Sequence, residues 1–198
     1  MHLTDCLCLQ ARELDDLDAI VIPGSHHTAV PNDSDNHPAW MLRVMELIRE
    51  CAARGRPQIL GVCFGHQLVA AALGGTVSSS ESFVFKAEEV ELREPSWSNW
   101  AQRVGLQVDE VADGAAGTRG VGPRLRLLES HGDFVASLPP QAIALGGSPS
   151  CEHELYAVGD SVLCMQGHPE FTPELLKERI LPALQVHART QSHSPATP

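Results

Sequence analysis

Basic residues are scarce in this chain: 14 Lys and Arg stand against 25 Asp and Glu in 198 residues, a formal net charge of −11. A surface of that sign is not built to neutralise phosphates, which argues against nucleic acid as a partner and disfavours anionic membranes. Apolar runs are short, and none approaches the roughly 20 residues that cross a bilayer. There is no Gly-x-x-x-x-Gly-Lys-Ser/Thr loop, so nothing points to activation of an acceptor with ATP. The six cysteines, at positions 6, 8, 51, 63, 151 and 164, form no Cys-x-x-Cys pair and no zinc-finger spacing, and they read as reduced thiols. Asp5, Glu13, Asp15, Asp16 and Asp18 against Arg12 alone are wrong for a targeting peptide. The expectation is a soluble cytoplasmic protein with no cofactor and no metal. His26, His27 and His66 lack the acid at helical spacing that a metal site would use.

What the chain does have is apolar pattern. At 43% hydrophobic it can bury a core, and the expectation is one domain over residues 1–190 with a disordered tail at 191–198. Residues 19–23 form a β-branched run closed by Pro23-Gly24-Ser25, a buried strand entering a loop. Trp40, Met41, Val44, Met45, Leu47, Ile48 and Cys51 recur at three- and four-residue spacing, which predicts an amphipathic helix capped by Gly55. Residues 58–62 read as a strand and residues 66–73 as a buried helix. Strand, helix, strand, helix predicts an α/β fold with an open, mostly parallel sheet covered by helices on both faces. Further strands are predicted at 84–92, 125–128, 142–145, 154–158 and 162–166, and a terminal helix opens at Thr172-Pro173-Glu174. Residues 93–124 read as an irregular excursion, with Trp97 and Trp100 under it as a small satellite core.

Two segments carry chemistry. Gly61-Val62-Cys63-Phe64-Gly65 has the Gly-x-nucleophile-x-Gly form, in which glycines permit a strained strand-to-helix turn that presents the cysteine. At a helix amino terminus its thiolate is stabilised by unpaired N–H groups, and the Phe64 N–H points where an oxyanion would form. The same pentapeptide also suits a cysteine packed between strand and helix. His168 ends another predicted strand, within reach of the same rim, and Glu170 follows it across Pro169. Read alone, His-Pro-Glu is also an ordinary strand-ending turn.

Taken together, Gly61-Val62-Cys63-Phe64-Gly65-His66-Gln67, Leu73-Gly74-Gly75 and Gln166-Gly167-His168-Pro169-Glu170 resemble the class I glutamine amidotransferase family. Ser130-His131-Gly132-Asp133 is similar to the substrate-holding segment of GMP synthetases, and the likeness over residues 15–181 is greatest to stand-alone relatives such as plant γ-glutamyl peptidases. The resemblance implies a nucleophile elbow in a flavodoxin-like sheet and a triad of Cys63, His168 and Glu170. It implies an oxyanion hole from Phe64 with Gly24 or Ser25, where the family usually has two glycines. It also implies that Gln67, Ser130, His131, Gly132 and Asp133 hold a small-molecule γ-glutamyl substrate. The expected reaction is hydrolysis of a γ-glutamyl amide through a cysteine thioester, alone or beside a separate synthetase subunit. Family members usually begin with a strand and helix that this sequence is expected to lack. That shortfall motivates a second expectation, a non-catalytic amidotransferase-like binding domain. A DJ-1-like cysteine hydrolase would share the elbow but gives no reason for Gly167-His168-Pro169-Glu170.

Overall fold

The computed structural model describes residues 14–31, 37–106 and 123–182. The expected tail at 191–198, residues 107–122 of the expected excursion, and residues 1–13 with Cys6 and Cys8 lie outside them. The chain divides into two units between His168 and Pro169. The first holds seven strands: β1 (Ala19–Ile22), β2 (Gln58–Val62), β3 (Thr76–Leu92), β4 (Arg124–Ser137), β5 (Ala142–Gly147), β6 (Leu155–Val158) and β7 (Val162–Met165). Helices α1 (Ala39–Arg54), α2 (Phe64–Ala72) and α3 (Ser96–Arg103) lie between them. The second unit opens with a helical turn at Pro173–Leu175 that passes into π-helical turns at Leu176–Ile180. Thr172 caps that turn through its hydroxyl, which accepts the Leu175 N–H at 3.2 Å.

The strands form one sheet in the order β1-β2-β7-β6-β5-β3-β4. Its parallel part is β1, β2 and β7; the strands from β6 to β4 run antiparallel. The α/β class and the two crossover helices therefore follow the sequence expectation, with parallel pairing confined to the end of the sheet that carries the elbow. The reason is local. Only β1-α1-β2-α2 supplies helical crossovers, whereas β5, β6 and β7 are joined by short turns that reverse the chain. The sheet also curls: His168, beyond the end of β7, bridges back to Leu128 on β4, its N–H donating to the Leu128 carbonyl at 2.9 Å. Beyond β1 the sheet has no further strand among the described residues.

Helix α1 buries Met41, Val44, Met45, Ile48 and Cys51, and ends at Gly55 with φ 72°, as its spacing predicts. Helix α2 is buried on nearly every side because it lies directly on the sheet. That closeness requires glycine at two positions. A Cβ on Gly65 would fall 1.9 Å from the Ile22 carbonyl oxygen, and one on Gly61 would fall 2.8 Å from the Gly65 oxygen. The main core joins α1 and α2 to the sheet; a second, smaller core gathers Trp97, Trp100, Val90, Leu92, Leu145 and Leu155. The satellite core expected under residues 93–124 is thus present. Its aromatics sit on α3, a helix that the run of Pro, Ser and Asn had hidden.

The strand containing residues 84–92 begins earlier, at Thr76, and that containing residues 125–128 runs on to Ser137. Polar residues interrupt the apolar alternation in both, so the sequence pattern stops short of the pairing. The two form a long ribbon with a register shift between Ser79 and Val84, opposite Gly132. The ribbon contributes Val77 and Val135 to the main core and Val90 and Leu92 to the smaller one.

Candidate active site

Three adjacent parallel strands end at one place. β1 leads into Pro23-Gly24-Ser25, β2 into Cys63, and β7 into Gln166-Gly167-His168. The carboxyl edge of a parallel sheet is where such folds gather reactive groups, because crossover loops leave it open. The Cys63 N–H donates to the Met165 carbonyl at 2.9 Å, which extends the β2–β7 pairing by one residue and ties the elbow to the strand that carries His168.

Cys63 has φ 52° and ψ −105°, and among the described residues it alone of the non-glycines has positive φ. Such a conformation costs on the order of 1–3 kcal/mol and persists only where the surroundings impose it. The close seat of Gly61 and Gly65 against their neighbours imposes it here. Cys63 immediately precedes α2, so its sulfur stands at the end of a helix whose first N–H groups have no intrahelical acceptor. Its thiol donates to the Ser130 carbonyl on β4 at 3.8 Å, a weak contact suited to a resting thiol.

Gly24 lies beside both the cysteine and the imidazole. A Cβ placed on it would lie 2.8 Å from His168 Cε1, 3.7 Å from His168 Nε2 and 3.5 Å from Cys63 Cβ. The glycine is needed for space and not for φ, since neither Gly24 nor Ser25 lies in the left-handed region. Serine therefore replaces the second expected glycine without backbone strain, and its hydroxyl accepts the His27 N–H at 3.2 Å. His27 packs near Trp40 and Phe64, with ring centroids 5.1 and 6.4 Å away. His66 lies in the interior beside Tyr156, where burial, then His131 and His153, lower its pKa to about 3. Glu170, the second residue of the second unit, is exposed.

The residues expected to clasp substrate are brought together along β4, with different roles. Gln67 is buried and donates to the Asp133 carbonyl at 2.8 Å and to Gln166 Oε1 at 3.1 Å, so it ties α2 to β4. His131 is turned into the interior: its Nδ1 lies 3.0 Å from the Asp133 carbonyl and its Nε2 3.5 Å from Glu129 Oε2. Burial lowers its pKa. Ser130, Gly132 and Asp133 are partly exposed. The Asp133 carboxylate accepts hydroxyls from Thr28 at 2.6 Å and Ser79 at 2.7 Å, which fixes its orientation. Thr28 and Ser79 carry no sequence signal of their own; only the fold brings them to Asp133. The same holds for the buried Glu129 and Glu154 behind Gly167.

The family model "Glutamine amidotransferase class-I" matches residues 8–187. Gamma-glutamyl peptidase 3 of Arabidopsis thaliana is 31% identical over 166 residues, which cover 84% of this chain and 59% of the relative. A glutamine-hydrolyzing GMP synthase subunit of Methanothermobacter thermautotrophicus is 35% identical over 113 residues, 57% of this chain and 50% of the relative. Among solved structures, a glutamine amidotransferase from Thermotoga maritima superposes with a TM-score of 0.65 at 20% identity, covering 94% of this chain and 70% of that one. The chain spans about three fifths of the length of the plant peptidases it matches.

Proposed function

The chain belongs to the class I glutamine amidotransferase family, and from that premise we propose that it hydrolyses a γ-glutamyl amide bond with Cys63 as the nucleophile. The observation that carries the reading is the single point beside Gly24 from which Cys63 Cβ and the His168 ring are both within 3.7 Å. His168 takes the thiol proton as Cys63 Sγ bonds to the γ-carbonyl carbon. Collapse of the tetrahedral intermediate breaks the carbon–nitrogen bond, and the amine leaves with the proton from His168. Water, deprotonated by the same ring, then breaks the thioester and frees the γ-carboxylate. Glu170, by its place in the His-Pro-Glu segment, is assigned to steady the imidazole and its cation. The N–H groups of Phe64 and of Gly24 or Ser25 are assigned to the oxyanion, and Ser130, Gly132 and Asp133 to the glutamyl α-groups.

The likeness to γ-glutamyl peptidases supports a chain that acts on γ-glutamyl peptides without help. The likeness to glutamine-hydrolyzing GMP synthase subunits supports one that passes ammonia to a separate synthetase. Turnover of glutamine, glutathione and a γ-glutamyl conjugate by the purified chain, beside C63A, separates these. Steady release of glutamate from peptides, abolished in C63A, supports the peptidase. Turnover of glutamine only in the presence of an added synthetase supports the ammonia-donating role. Alkylation of Cys63 by a glutamine-mimicking electrophile no faster than of Cys51 or Cys151, together with no turnover of any substrate, overturns the catalytic reading in favour of a binding domain.

A further inference from the structure

Behind His168 lie two buried carboxyls that the proposed reaction does not use. Glu129 and Glu154 both have fully buried side chains, and both touch Gly167. The Gly167 N–H donates to the Glu154 carboxyl, and a Cβ on Gly167 would fall 2.3 Å from Glu129 Oε1. Gly167 has no side chain because Glu129 occupies its place. The adjoining residues repeat the connection: Gln166 N–H donates to the Glu154 carbonyl at 2.8 Å, and His168 N–H to the carbonyl of Leu128, next to Glu129. The segment that presents His168 is thus held from both sides by residues 128–129 and 154.

Two carboxylates cannot both stay charged in such a place. The groups facing them are Glu88, Lys86, His131 and Cys151, the last a thiol that burial and these acids keep protonated. Lys86 pairs with Glu88 at 3.0 Å, and His131 is held neutral by burial. Among the described residues that leaves no cation to balance two buried negative charges. Ser148 donates to Glu154 Oε1 at 2.6 Å, and among the described residues the other oxygen of Glu154 and both oxygens of Glu129 have no hydrogen-bond donor. A bound proton relieves that shortage. Ser148 and Glu88 also line a cleft of about 730 Å³ between β3 and the β5–β6 turn.

We infer that Glu129 and Glu154 share one proton and act as a pair of positioning residues, holding Gly167 and through it the His168 ring against the elbow. The inference rests on the hydrolytic reading for its kinetic consequence but not for its structural one. Burial and the other acids raise Glu129 to about 8, and burial raises Glu154 to about 7. An acid whose folded pKa is raised stabilises the fold at low pH and loses that contribution as pH climbs through the folded value. The shared proton therefore leaves in mildly alkaline solution, and the clamp on Gly167 loosens.

The test compares the purified wild-type chain with E129Q and E129L by thermal unfolding from pH 6.5 to 9 and by kcat and KM for a γ-glutamyl peptide. The wild-type Tm is expected to fall by about 4–8 °C over that range from this pair, and E129Q to remove at least half of the fall because an amide keeps the contact without a charge. In kinetics, E129L is expected to lower kcat at least tenfold with KM within threefold, and E129Q to restore most of it and to move the alkaline decline to higher pH. An E129Q chain whose Tm falls as steeply as the wild type overturns the shared proton. Should E129L fold and keep wild-type kcat, the positioning role is overturned. The unfolding arm needs no activity, so a wild type without turnover refutes the hydrolytic reading while the proton-sharing pair is still decided by Tm.

Discussion

Replacing Cys63 with glycine and, separately, with alanine isolates the strain stored at the elbow. Both changes remove the sulfur and its contact with the Ser130 carbonyl, and the cysteine side chain makes no capping bond to α2, so those losses cancel in the comparison. What differs is the backbone. At an ordinary helix-start position, glycine is the less stable of the two by ~0.4–1 kcal/mol, because its unfolded chain has more freedom to lose. At φ 52° and ψ −105° the alanine Cβ must bear a conformation that costs on the order of 1–3 kcal/mol, and glycine bears none of it. The balance favours C63G over C63A by about 1 kcal/mol, a Tm difference of roughly 2–4 °C in a chain of this size. Matched thermal melts at one pH, with the transition of each variant shown to be cooperative, measure it. A C63A chain that melts above C63G refutes the claim that the elbow is strained.

Two further outcomes follow from the packing. G24A places a methyl 2.8 Å from His168 Cε1, so γ-glutamyl turnover is expected to drop at least a hundredfold through displacement of the ring, while Tm shifts by only a few degrees because the residue lies in a partly exposed loop; kinetics beside a melt would refute this if the two fell together. W100A removes a buried indole of the smaller core and its bond from Nε1 to the Gly159 carbonyl at 3.0 Å, with an expected loss of ~3–5 kcal/mol. Denaturant unfolding checks the magnitude, and a loss below about 1 kcal/mol would show that this core contributes little.

The parts of the candidate site that lie on strand ends were legible as strand ends because glycines, a proline and a short apolar run leave sharp marks. Cys63 between Gly61 and Gly65, and His168 after the run from Val162, are of this kind. Asp133 and Gln67 were singled out by likeness to a motif, but their hydrogen-bond partners Thr28, Ser79 and Gln166 were not, since those contacts join elements far apart in the chain. That His131 turns inward was not legible, because a histidine in a polar stretch carries no sign of which way it turns. The extent of β4 was hidden for a related reason: Glu129 to Asp133 breaks the alternation that identifies a strand, and only pairing with β3 restores it. Helix α3 escaped because its buried face rests on Trp97, Trp100 and Ala101 alone, too few residues to set a period.

The ribbon of β3 and β4 is shared property of two hydrophobic bodies, one under α1 and α2 and the other under α3, and its pairing slips opposite Gly132. Ser130, Gly132 and Asp133 consequently sit on a seam, where the alignment of each half is dictated from its own side. A seam of this kind registers disagreement between its neighbours before either of them melts. Substitutions in either body are therefore expected to show first as a shift of pairing along this line.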